Sequence, residues 1–547
     1  MPGSDLPGII MQYCIHPECS LALMAQTAMA LLPDTYAGMS IPESPPSCGH
    51  QNGSKRQNAK KLKAGQDKIK KPNTKKEKIT GQKFMKNRWF GNREFYRKTL
   101  YLAVPMILQN LITNFVSMLD NIMVGQIGTP QMSGVSIVNQ FIFVFNMTIF
   151  GGVSGASIFG TQFFGKGDCE GQKYTFRFRI ILSVLGAAAF ALILKLFGTP
   201  LISLFLSSED TPEMIRQTLG YGEEYLKIML WGLWPYAIGQ AYASVIRECG
   251  ETRVPMTASF AAVGINLLLD YGLIFGKLGM PQLGVAGAAI ATVIAKSCEA
   301  VYMILWGHLH TDRIQCLKSA FRGFRIPGVL AGEILIKGCP LMINELLWSL
   351  GMSTVAQCYS VRGIDVVAAR NIATTLTNLL NVIYIQIGAC TGIMVGMLLG
   401  AGKPKEARET DDKLIAFSMM VTVFVSLLVL PASRLFPALY NTEEEVRSLA
   451  AYFILIQAFA MPIWSYTNSC YFTLRCGGKT LVTFLFDAVY TWGLMIPLAF
   501  ILSRFTALDI HVIFPIVTYS ELIKVVVGWL LVRSDVWIND LTGEGNG

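Results

Sequence analysis

Charge is what this chain has least of. Asp, Glu, Lys and Arg make up 15% of its 547 residues, against 52% hydrophobic residues, a balance too apolar for an ordinary soluble protein. Histidine is scarcer still. The five histidines, His308 and His310 among them, show no metal-ligand spacing with Cys or Asp. The twelve cysteines form no CxxC pair and no even framework. Seven of them, such as Cys339, Cys390 and Cys470, lie in or beside apolar stretches and read as reduced packing residues, not disulfides or metal ligands. The apolar run Leu21 to Leu32 lacks a basic segment before it, so it makes a poor signal peptide, and it is too short to cross a bilayer.

The net charge of +10 does not point to nucleic acid once the bases are located. Fourteen fall between Lys55 and Arg88, against Asp67 and Glu77 and with hardly an aromatic. That composition cannot bury a core. Residues 1–90 therefore read as a disordered, solvated cytosolic extension, with Met85 a natural start for the folded part. Most other bases sit in alternate loops: Lys166, Lys173, Arg177 and Arg179; Arg247 and Arg253; Arg313, Lys318, Arg322 and Arg325; Lys403, Lys405 and Arg408; Arg475 and Lys479. The intervening loops are poor in bases or acidic, as at Glu209-Asp210 and Glu443-Glu444-Glu445. This is the positive-inside pattern, and it predicts both termini on the cytosolic side.

Twelve apolar spans lie between those loops, at 100–126, 134–162, 177–198, 222–246, 254–276, 284–308, 334–360, 368–398, 413–437, 449–474, 481–503 and 511–533. The first half repeats in the second. Ala103-Val104-Pro105 and Gly338-Cys339-Pro340 are 235 residues apart, as are Gly128 and Gly363, and Gly165-Lys166-Gly167 and Gly400-Ala401-Gly402. Later the offset becomes 227, with Pro235, Cys249 and Gly250 matching Pro462, Cys476 and Gly477. Six spans is an even number, so both halves insert in one orientation, as a parallel repeat about an axis along the membrane normal. The expected fold is an all-α integral membrane protein of two six-helix lobes. Residues 91–308 form the first lobe, 309–333 a cytosolic linker, 334–535 the second lobe and 536–547 a tail.

Two short motifs suggest enzymes and fail in detail. Gly160 to Lys166 has phosphate-loop spacing, but Gly167 replaces the required Ser or Thr and the segment closes a helix. Gly165-Lys166-Gly167-Asp168 resembles an intramembrane protease motif, but its repeat copy lacks the acid; a turn after a helix explains it better. Glycines 151, 152, 155 and 160, and Gly388 and Gly392, allow close helix contact.

The intramembrane polar residues carry more information. The stretch Tyr101 to Met123 is one crossing long and holds a single acid, Asp120, where the second copy has Val355. A carboxylate there costs about 2.5–3.5 kcal/mol on insertion scales and turns to a polar interior. Asn266 and Asp270 share a face of span five, and Asp270 lies about 25 Å up that helix. Asp120 is about as far up span one, and Thr292 lies near the outer end of span six. Two acids, an amide and a hydroxyl offer oxygen ligands for Na+, with Asp120, Asn266 and Asp270 as metal ligands, or a carboxylate site for H+. In the second half Glu345 and Asp487 each lie eight residues past a Lys, and Glu521 and Lys524 are three apart. That set reads equally as a structural ion pair or as a second polar site. Trp231, Trp234, Trp348 and Trp464 line a cavity or anchor the spans.

Over residues 95–535 the chain resembles the multidrug and toxic compound extrusion (MATE) transporters. The resemblance rests on Pro105, the segment LDNIMVGQIG (119–128), the GKGD turn (165–168), IRECGETR (246–253), NLLLDYGLIFG (266–276), GAAIATV (287–293), the Gly-Cys-Pro at 338–340 and GAGKPKEAR (400–408). It implies an ion-driven plasma-membrane antiporter, not an enzyme, that exports organic, often cationic compounds by alternating access. By resemblance Asp120, Asn266, Asp270 and Thr292 match the first-lobe cation site, and Pro105 offers a hinge in span one. Glu345 nearly matches a second-lobe acid, while span ten holds none of the family's acids. The implied partners are a small organic substrate, the coupling cation and lipid, with no cofactor and no nucleic acid, for a monomer. The rival reading is a lipid-linked oligosaccharide flippase of related architecture, which needs a basic cleft for pyrophosphate.

Overall fold

The computed structural model describes residues 89–206, 212–323, 325–440 and 442–543. The expected disorder of the N-terminal extension and the acidic pair Glu209-Asp210 fall outside them, apart from residues 89 and 90 of the extension. The described chain is a bundle of twelve long helices: α1 Arg93–Gly125, α2 Thr129–Lys166, α3 Cys169–Ser203, α4 Pro212–Glu248, α5 Arg253–Phe275, α6 Val285–Leu309, α7 Gly328–Ser360, α8 Ile364–Gly400, α9 Pro404–Leu435, α10 Glu444–Cys476, α11 Thr480–Phe505 and α12 Ile510–Arg533. Ten of them are long and apolar enough to cross a membrane; α4 and α7 are diluted by Glu223, Glu224 and Lys227, and by Glu333, Lys337 and Glu345. Most helices overrun their apolar spans, and side-chain caps at Asn92, Asp168 and Asp509 start three of them. Asn92 accepts from the amide of Phe95 at 2.8 Å and starts α1 seven residues early. α7 starts at Gly328, inside the stretch read as linker.

Asp168 is a helix cap: its Oδ1 accepts the amides of Glu170 and Gly171 at 3.0 and 2.9 Å. The glycine before it takes the left-handed conformation that ends α2 (φ 77), and its repeat mate Gly402 ends α8 in the same way (φ 71). The match at the end of α4 slips by one residue relative to the sequence reading. Gly250 and Gly478, with φ 86 and 73, hold equivalent left-handed positions, and each donates to the carbonyl of an arginine three residues back, Arg247 or Arg475, at 2.9 Å. The later offset is therefore 228, and Gly477 serves packing instead: a Cβ there would lie 1.7 Å from the Trp537 carbonyl.

In the first lobe α1 packs on α5, α2 on α3 and α4, and α6 on α4 and α5; in the second, α8 and α9 pack on α10, α7 on α11 and α12 on α10. The lobes meet where α2 crosses α7 and α8 and where α1 touches α8. A Cβ on Gly155 would sit 2.3 Å from the Cα of Gly338, and one on Gly165 2.0 Å from the Met397 carbonyl. Leu102, Ala103 and Met106 share a core with Ile387, Met394 and Leu399. All these contacts lie in the base-rich half of the bundle. In the other half each lobe closes its own core, one around Val135, Leu194 and Tyr225, the other around Val366, Phe453 and Phe514. The lobes are thus sealed at the base-rich end and part toward the opposite one.

Two further contacts brace that seal. Arg177 donates to the carbonyls of Ala320, Arg325, Ser319 and Arg322 and so pins the inter-lobe connection to α3. The segment after α12 folds back across the lobes. Trp537 is fully buried against the second lobe, while Leu541 and Asn539 bond the amide of Gln162 on α2 at 2.7 and 3.2 Å, and Thr542 accepts from Lys166.

Gly155 has no room for a side chain. Gly155→Val is expected to pry α2 from α7, cost about 1–3 kcal/mol and lower the thermal midpoint in detergent by several degrees. An unchanged midpoint would show that the helices do not approach this closely.

Candidate functional site: a buried acid pair and a charged network

The first-lobe residues converge. Asp120 on α1 and Asp270 on α5 interact directly, and the buried phenol of Tyr225 on α4 feels both while reaching Thr292 on α6 and Asn139 on α2, the latter at 3.3 Å. Asn266, one turn from Asp270 on α5, is also buried. The sequence-derived set Asp120, Asn266, Asp270 and Thr292 therefore occupies one interior region, joined by Tyr225 and Asn139, which the sequence reading did not include.

The bonding is incomplete in a specific way. Asp120 Oδ1, both carboxyl oxygens of Asp270 and the Asn266 amide nitrogen are buried without a hydrogen-bond partner among the described residues. Two carboxylates facing each other offer only acceptors. Burying them is costly unless a proton or a cation stands between them, and the surrounding donor set of carboxyl, amide and hydroxyl oxygens suits a small hard cation or a proton. Pro105 lies buried within α1, below this site, and the helix runs through it.

In the second lobe the candidate residues Glu345, Asp487, Glu521 and Lys524 lie in bonded networks. Lys524 on α12 contacts Asp487 on α11 at 2.8 Å and Glu521 at 3.2 Å. Asn344 on α7 donates to Asp487 at 3.1 Å, and Thr467 on α10 to Glu521 at 3.0 Å. Glu345 accepts from the Tyr471 hydroxyl at 2.9 Å and stands 4.0 Å from Arg475. Arg475 in turn lies over Phe150 of the first lobe, Tyr471 and Phe472. Asp487 falls in one of two π-helical segments of α11, 485–489 and 491–495. The sequence reading passed over Tyr471 and counted Arg475 only as a loop base; it also passed over Asp411, which lies just before span nine and is fully buried and held by Thr473 at 2.6 Å.

Twelve helices in two repeat-related lobes, sealed at one end and holding buried charge inside, define a membrane transport protein. The MatE family model matches residues 105–272 and 340–501, and the chain belongs to this family of MATE multidrug efflux transporters. A probable multidrug resistance protein NorM of Thermotoga maritima is 24% identical over 426 residues, covering 76% of this chain and 88% of that protein. A probable multidrug resistance protein YoeA of Bacillus subtilis matches to the same extent. Among solved structures, the Vibrio cholerae MATE transporter VcmN in its bent form has a TM-score of 0.70 at 20% identity, over 81% of this chain and 98% of that one. An outward-facing MATE family transporter gives 0.68 at 18%, over 80% and 95%.

The Lys524 cluster sets up a stability test. Lys524→Met leaves Asp487 and Glu521 buried without their cation, a loss of about 3–5 kcal/mol by analogy with other broken buried pairs, read as a lower thermal midpoint. Adding Asp487→Asn to that variant is expected to restore part of it. Equal midpoints for the single and double variants would mean that the pair carries no stability.

Proposed function

We propose that the protein is an antiporter that exports organic, cationic, drug-like compounds in exchange for Na+ or H+ by alternating access. The observation that carries this reading is the Asp120–Asp270 pair, two buried carboxyls with unsatisfied oxygens inside one lobe. The base-rich end is assigned to the cytosol of a cell bounded by its plasma membrane, so the bundle is sealed inside and open outside. In this state the cation enters from outside and binds Asp120, Asp270, Thr292 and Asn266, with Tyr225 and Asn139 orienting the set. Neutralising the pair lets α1 and α5 pack closer, and that change favours release of substrate outward and the inward-open state. The cation drives the step through its different affinity for the two states. Each charge moved through 100 mV contributes about 2.3 kcal/mol.

The flippase reading finds less support. Lys296, Lys524 and Arg475 are each paired with a carboxylate, and Arg247 bonds Gln109 beside Glu299, which leaves little positive charge for a pyrophosphate.

Export of a fluorescent cationic dye from everted vesicles, with Na+ and pH gradients imposed separately, tests the proposal. One gradient is expected to drive export, and Asp120→Asn or Asp270→Asn to reduce it to the level of empty vesicles at equal membrane abundance. Undiminished gradient-driven export by both variants would remove the acid pair from the mechanism.

A further inference from the structure

The polar interior of the first lobe does not end at the acid pair. Lys296 on α6, one turn below Thr292, holds Glu299 at 3.0 Å and lies 6.0 Å over the ring of Tyr236 on α4. Glu299 accepts from Ser259 on α5, Ser259 accepts from Gln109 on α1 at 2.7 Å, and Gln109 accepts from Arg247 on α4 at 3.1 Å. Gln109 and Ser259 lie eleven residues from Asp120 and Asp270 on their own helices, about 16 Å toward the sealed end. A polar knot on four helices thus sits beneath the acid pair, and Lys296 stands between the two, within electrostatic reach of Asp120.

The residues of this knot recur in the second lobe at the repeat offsets, although Arg475 there faces Glu345 and not the amide. Gln109 becomes Asn344, Ser259 becomes Asp487, Arg247 becomes Arg475 and Lys296 becomes Lys524. The bond from α1 to α5 recurs as the bond from α7 to α11. What differs is the lysine's company. Lys524 touches two carboxylates, Asp487 and Glu521. Lys296 touches one, Glu299, and its side chain is 31% exposed. Around it stand Glu299 on its own helix, Asp120 on α1 and Tyr236 on α4; Arg247 on α4 faces Glu299, and Asp270 on α5 faces Asp120. Asp120, Asp270 and Glu299 against Lys296 and Arg247 leave this interior one positive charge short of neutrality.

We propose that Lys296 is a tethered cation that competes with the coupling ion for the Asp120–Asp270 pair. With the ion bound, Glu299 holds the ammonium away. When the ion leaves, the flexible stem of Lys296 brings its ammonium to the acid pair. The acid pair then crosses between states partly neutralised, with Glu299 left to Ser259 and the nearby Arg247, and the lobe takes up one monovalent cation per cycle. This inference rests on the antiporter reading.

The test is cation affinity in the purified full-length protein. Affinity is read by calorimetric titration with Na+ if Na+ drives export, and from the pH dependence of dye binding if H+ does. Lys296→Met removes the competitor and is expected to bind the cation at least about tenfold more tightly, as for one unit charge within about 10 Å at an effective dielectric of about 20. Its export turnover falls because the emptied site is left charged. Glu299→Gln frees the lysine and is expected to weaken binding by a similar factor. Lys296→Arg keeps the wild-type affinity, and Lys296→Met with Glu299→Gln, which preserves the net charge, binds more tightly than wild type and stands in if the single variant does not fold. Opposite shifts for the two single variants support the tethered cation. Shifts of the same sign, or none, overturn it and leave a structural ion pair. Wild type binding no cation in an Asp120-dependent manner would overturn the antiporter reading as well.

Discussion

A charge inside an apolar bundle must be matched where it stands, and that requirement shapes both lobes. Every buried carboxylate in the described interior has either a cation, a set of hydroxyl or amide donors, or another carboxylate as its neighbour. Glu248 pairs with Arg179, Asp487 and Glu521 with Lys524, and Glu345 stands against Arg475 and Tyr471. Asp411 has the Thr473 hydroxyl. Asp120 and Asp270 alone among these face each other with unsatisfied oxygens. The exception is informative because removing a carboxylate from water without a partner is expensive. A fold that retains such a pair stores a demand for a positive charge, and a mobile cation is the simplest way to meet it.

The seam between the lobes answers a different constraint. Helices in lipid gain nothing from burying apolar surface against one another, since the lipid is apolar too, so they adhere through close backbone contact. The glycines of α2 and their partners Gly338 and Gly400 supply that contact. They are confined to the base-rich half, so the lobes are bound tightly at one end only. The C-terminal segment adds polar links at the same end, from Asn539, Leu541 and Thr542 to Gln162 and Lys166. These bonds run from side chains to the backbone of a segment outside the helices, with Gln162 itself fully buried.

Much of this was legible in the chain. The repeat appeared because the left-handed glycines at 167 and 402 and the prolines at 105 and 340 occupy positions where few other residues fit. Asp120 and Asp270 stood out because an acid in a long apolar run has few innocent explanations. The rest was hidden for physical reasons. Tyr225 and Asn139 look like ordinary helix residues until packing sets Tyr225 beside the acids and Asn139 against Tyr225. The register at the end of α10 shifts by one because two consecutive glycines, Gly477 and Gly478, are indistinguishable in sequence, whereas only one takes a positive φ. Lys296 and Glu299 were in view, three residues apart on one helix face, yet their spacing resembles any surface pair. Only the tertiary contacts reveal that the pair lies beneath the acid site.

The duplicated frame gives the network its meaning. Both lobes hold a lysine on their last helix and an amide on their first, tied to the fifth helix. After duplication the demands on the two copies need not agree. A lysine held by two carboxylates has little reason to move, since any excursion strands a buried negative charge, and the second lobe becomes a strut. A lysine held by one carboxylate, with an acid pair within electrostatic reach, has two positions of similar electrostatic merit. Their balance is set by whether another cation already occupies the pair. Val355 at the position of Asp120, and Leu498 at that of Asp270, remove the second position from the second lobe. The same knot then rigidifies one lobe and leaves the other responsive to an ion, which is the asymmetry that an ion-driven movement of one lobe against the other requires.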